Sequence, residues 1–202
     1  MLTRQEMAQE RAREIHLTAS QVFCERGYER ASLRDLAAAT GLTKAGLYYY
    51  FQSKEELLFL ILDGYMDELL AGVARIAAGV RDPEERLRAF ISFQTNMYCR
   101  DVHRSKLIIH EENCLSGEWY ATVKGKQKEY LGYWRDALAA WATERGREIP
   151  FLSAHVMLLT GMGNWIYQWY DPKGPLGPQA LAELIFGIFT RGSVPAASPP
   201  LA

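Results

Sequence analysis

Apolar residues recur at the three-to-four-residue spacing of an α-helix along nearly the whole chain, and no segment alternates as a half-buried strand does. The first such segment covers residues 3–26 and stops at Gly27, a residue suited to the left-handed backbone that ends many helices. Segments 81–84 and 171–178, rich in Pro, Gly or Asp, separate later helical stretches. The spacing therefore predicts an all-α fold of about nine helices.

The length and composition exclude several classes of protein. With 202 residues, of which 49 % are hydrophobic, the chain can bury a sizeable core and is too apolar to be disordered throughout. Its apolar runs are much shorter than the about 18 residues of a membrane span, so no membrane partner is expected. Three cysteines, and no cationic-then-apolar leader at the start, favour a reduced, cytoplasmic location.

Segment 32–54 carries the clearest signal for function. Ser32 and Thr43 each stand where an N-cap begins a short helix, and Gly41 lies in the tight turn between the two helices. This punctuation is typical of a helix-turn-helix, whose second helix can enter the major groove of DNA. The net charge of +2 over residues 1–54, against −3 for the remainder, agrees in sign with that role. A purely structural helical hairpin with solvated charges is the alternative.

The residues that begin the second helix suit a close approach to a duplex. Ala45 and Gly46 are small, so the backbone can come near the DNA. Lys44 supplies a cation, and Thr43 supplies a hydroxyl beside free backbone N–H groups. The three tyrosines at 48–50 cannot all face one core, because successive helical residues turn by about 100°. At least one phenol should therefore face solvent or a partner, whereas Leu47 and Phe51 are the better core candidates.

Several motifs resemble the N-terminal domain of the TetR-type transcriptional repressors. They are Ser32-Leu-Arg-Asp-Leu-Ala37, Thr40-Gly-Leu-Thr-Lys-Ala-Gly-Leu-Tyr48, Tyr50-Phe51 and Ser53-Lys-Glu-Glu-Leu57. The resemblance implies a homodimer with a three-helix helix-turn-helix domain in residues 1–54 and a larger helical domain for ligand binding and dimerisation in residues 55–192. Residues 193–202, with three Pro among Ala and Ser, are predicted to be a disordered tail. Tyr50 departs from the family, which often has His before the Phe.

The resemblance also implies which residues contact a double-stranded operator. Those expected to face the major groove are Thr43, Lys44, Gly46 and Tyr48, with Ala45 between them. Those expected to contact phosphates are Ser32, Tyr49, Tyr50 and Lys54. Phosphate contacts position such a domain, whereas base contacts specify the sequence.

The remainder of the chain gives weaker signals about a ligand. Large aromatic residues and Met at helical spacing usually form core or interface, but they can also line a cavity between helices. Residues 165–176 resemble a subgroup of these repressors that senses acyl-CoA thioesters. No resident cofactor is expected. The resemblance implies a repressor that a small-molecule effector such as an acyl-CoA releases from an inverted-repeat operator. The pocket candidates are Phe93, Asn96, Met97, Arg100, His110, Asn113, Tyr130, Trp134, Asn164 and Gln168.

The last predicted helix carries an apolar stripe that could be buried within one chain. In the resembling family, however, the last two helices usually pair with their copies in a second subunit. The residues predicted for such a dimer interface are Met157, Trp165, Leu181, Leu184, Ile185, Ile188 and Phe189.

Two other classes of function are weighed against this one. Cys99, His103, His110 and Cys114 suggest a metal- or redox-sensing regulator. On one helix they would share a face, but the rise of 1.5 Å per residue puts the two pairs roughly 10 Å apart, so a single ion needs a bend in the chain. An enzyme is not expected, because the sequence holds no phosphate loop, nucleophile elbow or His-Glu metal-binding helix.

Overall fold

The computed structural model describes residues 3–192, apart from the side chain of Gln5. Over that range the chain forms α-helices joined by turns, with no strand, as the sequence predicts. The helices are α1 (Arg4–Arg26), α2 (Leu33–Thr40), α3 (Lys44–Tyr48), α4 (Lys54–Gly79), α5 (Pro83–Arg100), α6 (Val102–His110), α7 (Gly117–Glu144), α8 (Leu152–Asn164), α9 (Ile166–Trp169) and α10 (Pro178–Gly192). Only Trp165 separates α8 from α9, so the described range holds nine helices when these two count as one interrupted helix.

The predicted tail at 193–202 lies outside the described residues. In the range that the structure does describe, every helix is too short or too polar to cross a membrane.

The described residues pack as two compact units. The first unit contains residues 3–70 and 101–128, and the second contains residues 71–100 and 129–192. Helices α4 and α7 each run from one unit into the other, so compactness does not follow the linear division at residues 54 and 55. That division stays a prediction about function.

In the first unit, α1 packs on both α2 and α6. Phe23 and Tyr28 meet edge to face at 5.1 Å between ring centroids, at the end of α1 and in the turn that follows. The buried Tyr65 and Ser105 hydroxyls lie 2.7 Å apart and join α4 to α6. Arg104 forms ion pairs with Asp101 and Glu68, so charge pairing reinforces the same junction.

In the second unit, α5 is the central helix and packs on α8, α9 and α10. The Arg88 guanidinium pairs with Glu183 and lies 3.9 Å from the centroid of the Phe186 ring, which ties α5 to α10. Gly72 leaves room for the Phe93 ring, because a Cβ at position 72 would overlap the ring and displace it.

Two helices are shorter than the sequence predicts, since the apolar spacing continues one helix from residue 43 to about 51 and another from about 103 to 114. The N–H groups of Tyr50 and Phe51 both reach the Leu47 carbonyl oxygen, at 2.9 and 3.3 Å, so α3 tightens and ends instead of continuing to residue 51. The helix predicted for 103–114 ends at His110, and residues 112–114 form one 3₁₀ turn. In both cases a turn begins before the apolar pattern stops.

Candidate functional site

A reciprocal cap fixes the start of α2. The Ser32 Oγ accepts from the Asp35 N–H at 3.2 Å, and the Asp35 carboxylate accepts from the Ser32 N–H at 2.9 Å. The Ser32 hydroxyl also donates to Asp35 at 2.6 Å, and Arg26 pairs with the same carboxylate at 2.6 Å. The hydrogen bonds from Ser32 lower the pKa of Asp35. The Ser32 hydroxyl, predicted as a phosphate contact, is thus already used within the chain.

A left-handed glycine sets the angle between α2 and α3. Gly41 has φ 68°, and its N–H bonds the carbonyl oxygen of Ala37. Arg11 of α1 donates to the Thr40 carbonyl oxygen at 3.0 Å, so a cation satisfies an end group of α2. These contacts place the next helix with one face inward and one outward.

Helix α3 is anchored by two buried side chains and is exposed at its N-terminus. Leu47 and Phe51 are each 1 % exposed, as the sequence predicts. The Thr43 Oγ1 caps the helix by accepting from the Gly46 N–H at 3.0 Å. Thr43, Lys44 and Ala45 are exposed, so the first turn of α3 faces solvent.

The three tyrosines after this turn divide as their spacing requires. Tyr49 is 79 % exposed, Tyr48 is exposed to a smaller extent, and Tyr50 is half-buried. The Tyr49 and Tyr50 rings meet edge to face at 5.1 Å, and the Lys44 ammonium lies 6.0 Å from the Tyr48 ring centroid. An aromatic and cationic surface therefore continues from the first turn of α3.

Lys54 departs from its predicted role. Its ammonium donates to the carbonyl oxygens of Tyr28, Glu29 and Ala31, at 2.9, 3.1 and 3.4 Å, and lies 4.3 Å from the centroid of the Tyr28 ring. The turn between α1 and α2 leaves these carbonyls without helical partners, and a lysine can supply three donors. The geometry makes Lys54 a support of that turn instead of a free phosphate contact.

The interior of the second unit brings together three of the predicted pocket residues. Tyr130 and Trp134 are buried one turn apart on α7, with ring centroids 6.1 Å apart. Asn164, at the end of α8, accepts from the Tyr98 hydroxyl at 3.0 Å. Burial raises the pKa of Tyr98 and raises that of Tyr130 well above the usual value. Sequence reasoning missed Tyr98 and the buried Gln94, although their spacing of four on α5 gives them a common face.

The other pocket candidates lie elsewhere. Phe93 covers Gly72, and Asn96 donates to the Ser92 carbonyl oxygen at 2.7 Å. Met97 is half-buried. The exposed candidates are Arg100 and Gln168 in the second unit and His110 and Asn113 in the first. None of the predicted pocket residues lines the two grooves of about 550 and 530 Å³ at the ends of α7 and α10.

The predicted dimer residues fall into two sets. Leu181, Ile185 and Phe189 are buried within the chain, because α10 lays this face against α5, so they are core residues. The others are exposed: Met157, Trp165, Leu184 and Ile188. Leu158 and Trp169, which were not among the predicted interface residues, are exposed as well.

The metal- and redox-sensing hypothesis finds no support. In the described part of the chain, no three His, Cys, Asp or Glu residues are grouped so that they could hold a metal ion. The chain leaves its helix at Asp101, so Cys99 and His103 are on different helices. Burial raises the pKa of the Cys24 thiol to about 12 and that of Cys114 to about 11, which disfavours the reactive thiolate.

A capped helix-turn-helix with an exposed first turn, on an all-helical chain, defines the class of DNA-binding regulators. Residues 15–61 match the bacterial regulatory proteins of the tetR family, and residues 80–193 match the tetracyclin repressor-like C-terminal domain. The chain belongs to the TetR family of transcription regulators. The family is one of regulators and not of enzymes. This confirms the prediction of a DNA-binding regulator and the prediction that the chain is not an enzyme.

Individual relatives are similar to this protein along most of its chain. It is 28 % identical over 184 residues to the transcriptional repressor KstR2 of Mycobacterium tuberculosis, covering 86 % of this chain and 90 % of that protein. A TetR-family regulator from Bordetella parapertussis superposes with a TM-score of 0.83 at 29 % identity, over 88 % of this chain and 93 % of that one. AibR, in complex with isovaleryl coenzyme A and operator DNA, superposes with a TM-score of 0.78 at 34 % identity, over 88 % and 97 %.

Proposed function

We propose that this protein is a homodimeric repressor that an acyl-CoA effector releases from an inverted-repeat operator. The observation that carries the proposal is the exposed first turn of α3, held outward by the buried Leu47 and Phe51. The likeness to AibR, which was solved with isovaleryl coenzyme A and operator DNA, supports the choice of effector. We place the protein in the cytoplasm, where the operator is.

Contacts to DNA are divided between bases and phosphates. Thr43, Lys44 and Gly46 enter the major groove with Ala45 and Tyr48, because they lie on or beside the exposed turn. Tyr49 and Tyr50 contact phosphates through their phenols. Ser32 and Lys54 act indirectly, since their polar groups already bond within the chain.

A second copy of the chain covers the exposed apolar residues of the second unit. Leu184 is 49 % exposed and Ile188 is 52 % exposed, and Met157 and Trp165 add to this surface. Burying large apolar side chains is the main favourable contribution in most protein association. Dimerisation would also set the separation of two α3 helices near the 34 Å between successive major grooves.

The effector acts by favouring a dimer whose two α3 helices have the wrong separation. A ligand can shift such an equilibrium only by its difference in affinity for the two geometries. Moving from mostly bound to mostly free takes about 5.5 kcal/mol for a change from 1:99 to 99:1. We propose no resident cofactor, because the effector must bind and leave.

The test begins with a duplex selected by the full-length protein from a random DNA pool. We expect a selected inverted repeat, binding that weakens as salt rises, and release by isovaleryl-CoA or a longer acyl-CoA. Lys44→Ala should weaken binding to the selected duplex, whereas Lys173→Ala, a control at another exposed lysine, should not. Failure to select any sequence contradicts the regulator. Undiminished binding at saturating acyl-CoA contradicts the effector alone.

A further inference from the structure

Four buried hydrogen-bond donors in the second unit form no hydrogen bond of ordinary geometry with a described residue. One is the Trp141 indole nitrogen Nε1. The other three are the Gln94 amide nitrogen Nε2, the Tyr130 hydroxyl Oη and the Trp134 indole nitrogen Nε1, and we refer to these three as the donor cluster. Each belongs to a side chain that is more than nine-tenths buried. Gln94 lies on α5 close to the Tyr98 phenol, and Trp134 lies close to the Tyr130 phenol. The two phenols are near enough for a charge on Tyr98 to raise the pKa of Tyr130.

Buried polar groups in native proteins nearly always have partners, because an unpaired donor loses its bond to water and gains nothing. Three unpaired donors in one core are therefore unusual. A ligand that carries acceptors would satisfy them, and the helices supply an apolar surround: Phe90 packs edge to face on Trp134 at 5.5 Å between ring centroids.

The charge of such a ligand is limited by the same core. No Lys, Arg, Asp or Glu side chain is buried anywhere in the described range. A charged group brought into this interior would find no opposite charge, and burying it would be strongly unfavourable. The part of the ligand that reaches the donor cluster must be neutral, and it must accept hydrogen bonds.

We infer that the effector presents a carbonyl oxygen to the Trp134 indole N–H and the Tyr130 hydroxyl, with the Gln94 amide as a third donor on the facing helix. A carbonyl oxygen has two lone pairs, so it can accept from two donors at once. This inference rests on the proposed effector response and specifies the chemical class of the effector. The buried part of the effector is uncharged, largely apolar and carbonyl-bearing, and the phosphates of a CoA remain outside this core.

The test uses the full-length protein and three probes. They are decanoyl-CoA, decanoyl-CoA with a ketone at the penultimate carbon of its acyl chain, and methyl octyl ketone without CoA. Calorimetric titration gives the dissociation constant of each probe for the wild type, Trp134→Phe and Tyr130→Phe. Trp141→Phe is the matched control, because it also removes a buried indole N–H without a partner, about 10 Å further along α7 than Trp134.

We expect at least one carbonyl-bearing probe to lose about tenfold in affinity in both donor-cluster variants and to keep its affinity in Trp141→Phe. If the ketone-bearing acyl-CoA loses affinity and decanoyl-CoA does not, the acceptor is a ketone. If decanoyl-CoA loses it equally, the acceptor is the thioester carbonyl. Far-ultraviolet circular dichroism and thermal melting confirm that each variant is folded. If Trp134→Phe fails this check, Tyr130→Phe still tests the inference, because it preserves the shape of the side chain.

The inference is overturned if none of the probes binds, if binding is equal in all variants, or if Trp141→Phe loses as much as the cluster variants. Release of operator DNA is measured in parallel. Release by decanoyl-CoA with equal affinities in all variants preserves the proposed function and removes this inference. Binding of the free ketone alone, lost in both cluster variants, preserves the inference and removes the CoA assignment.

Discussion

The exposed helix-turn-helix and the donor cluster differ in whether their polar groups have hydrogen-bond partners. Around α2 and α3, caps and carbonyl bonds satisfy the polar groups, while Leu47 anchors the motif from inside. In the donor cluster, buried N–H and O–H groups lack partners in the described chain. A surface that meets DNA must be rigid before it binds, whereas an interior that binds a small molecule can leave its donors for the ligand. Changes at one region should therefore affect stability and binding differently from changes at the other.

Leu47→Ala should have the largest effect, because it removes the anchor of α3. Truncating a buried leucine costs about 2–5 kcal/mol. We expect a loss of that size in the free energy of unfolding, measured by urea denaturation, together with loss of operator binding. The control Leu17→Ala changes a leucine that is 45 % exposed on α1, and we expect a change of at most about 0.5 kcal/mol. Equal effects of the two variants would refute the anchoring role.

Gly46→Ala should separate DNA binding from folding. A Cβ at this position would lie 3.4 Å from the Thr43 Oγ1 and 3.7 Å from the Leu42 Cβ, which the folded chain accommodates. We expect an unchanged or raised melting temperature and a tenfold to hundredfold weaker operator affinity, equivalent to about 1.4–2.7 kcal/mol. Gly64→Ala on α4, where a Cβ meets open space, should change neither property. Full operator affinity in Gly46→Ala would mean that α3 does not approach the duplex closely.

Two buried phenols in the second unit give the sharpest contrast in stability. Tyr98→Phe removes the donor that Asn164 accepts from, and leaving that oxygen unpaired should cost about 1–3 kcal/mol. Tyr130→Phe removes a hydroxyl that forms no hydrogen bond of ordinary geometry with a described residue, so stability should hold or increase. Thermal unfolding of the ligand-free protein measures both. A larger loss in Tyr130→Phe than in Tyr98→Phe would show that the Tyr130 hydroxyl is already satisfied.

Features set by local sequence could be predicted, and features set by tertiary contacts could not. The caps at Ser32 and Thr43 follow from neighbours three residues away, and Leu47 follows from helical spacing. The role of Lys54 depends on carbonyls about 25 residues earlier in the chain, which no spacing rule reports. Likewise, an apolar stripe such as that of α10 does not tell whether Ile185 faces α5 or a second copy.

Lys54→Ala tests the most specific of these corrections. Losing the three carbonyl bonds should lower the free energy of unfolding by about 1 kcal/mol, with the salt dependence of DNA binding unchanged. Lys44→Ala should do the reverse, keeping stability and flattening the salt slope by about one unit. If Lys54→Ala keeps stability and flattens the slope, Lys54 contacts a phosphate as the sequence predicts.

The smallest effect we expect comes from the pH dependence of the α2 cap. Hydrogen bonds from Ser32 lower the pKa of Asp35 below its ordinary 3.8. The folded state therefore favours the ionised carboxylate more strongly than the unfolded state does. A lowered folded pKa contributes stability above the unfolded value and loses it as pH falls through the folded value. Asp35→Asn should therefore be less stable than the wild type at pH 7, with a gap that closes as the pH falls below about 4. Urea unfolding at a series of pH values measures this gap, and a gap that is constant with pH would show that the charge of Asp35 does not contribute to the cap.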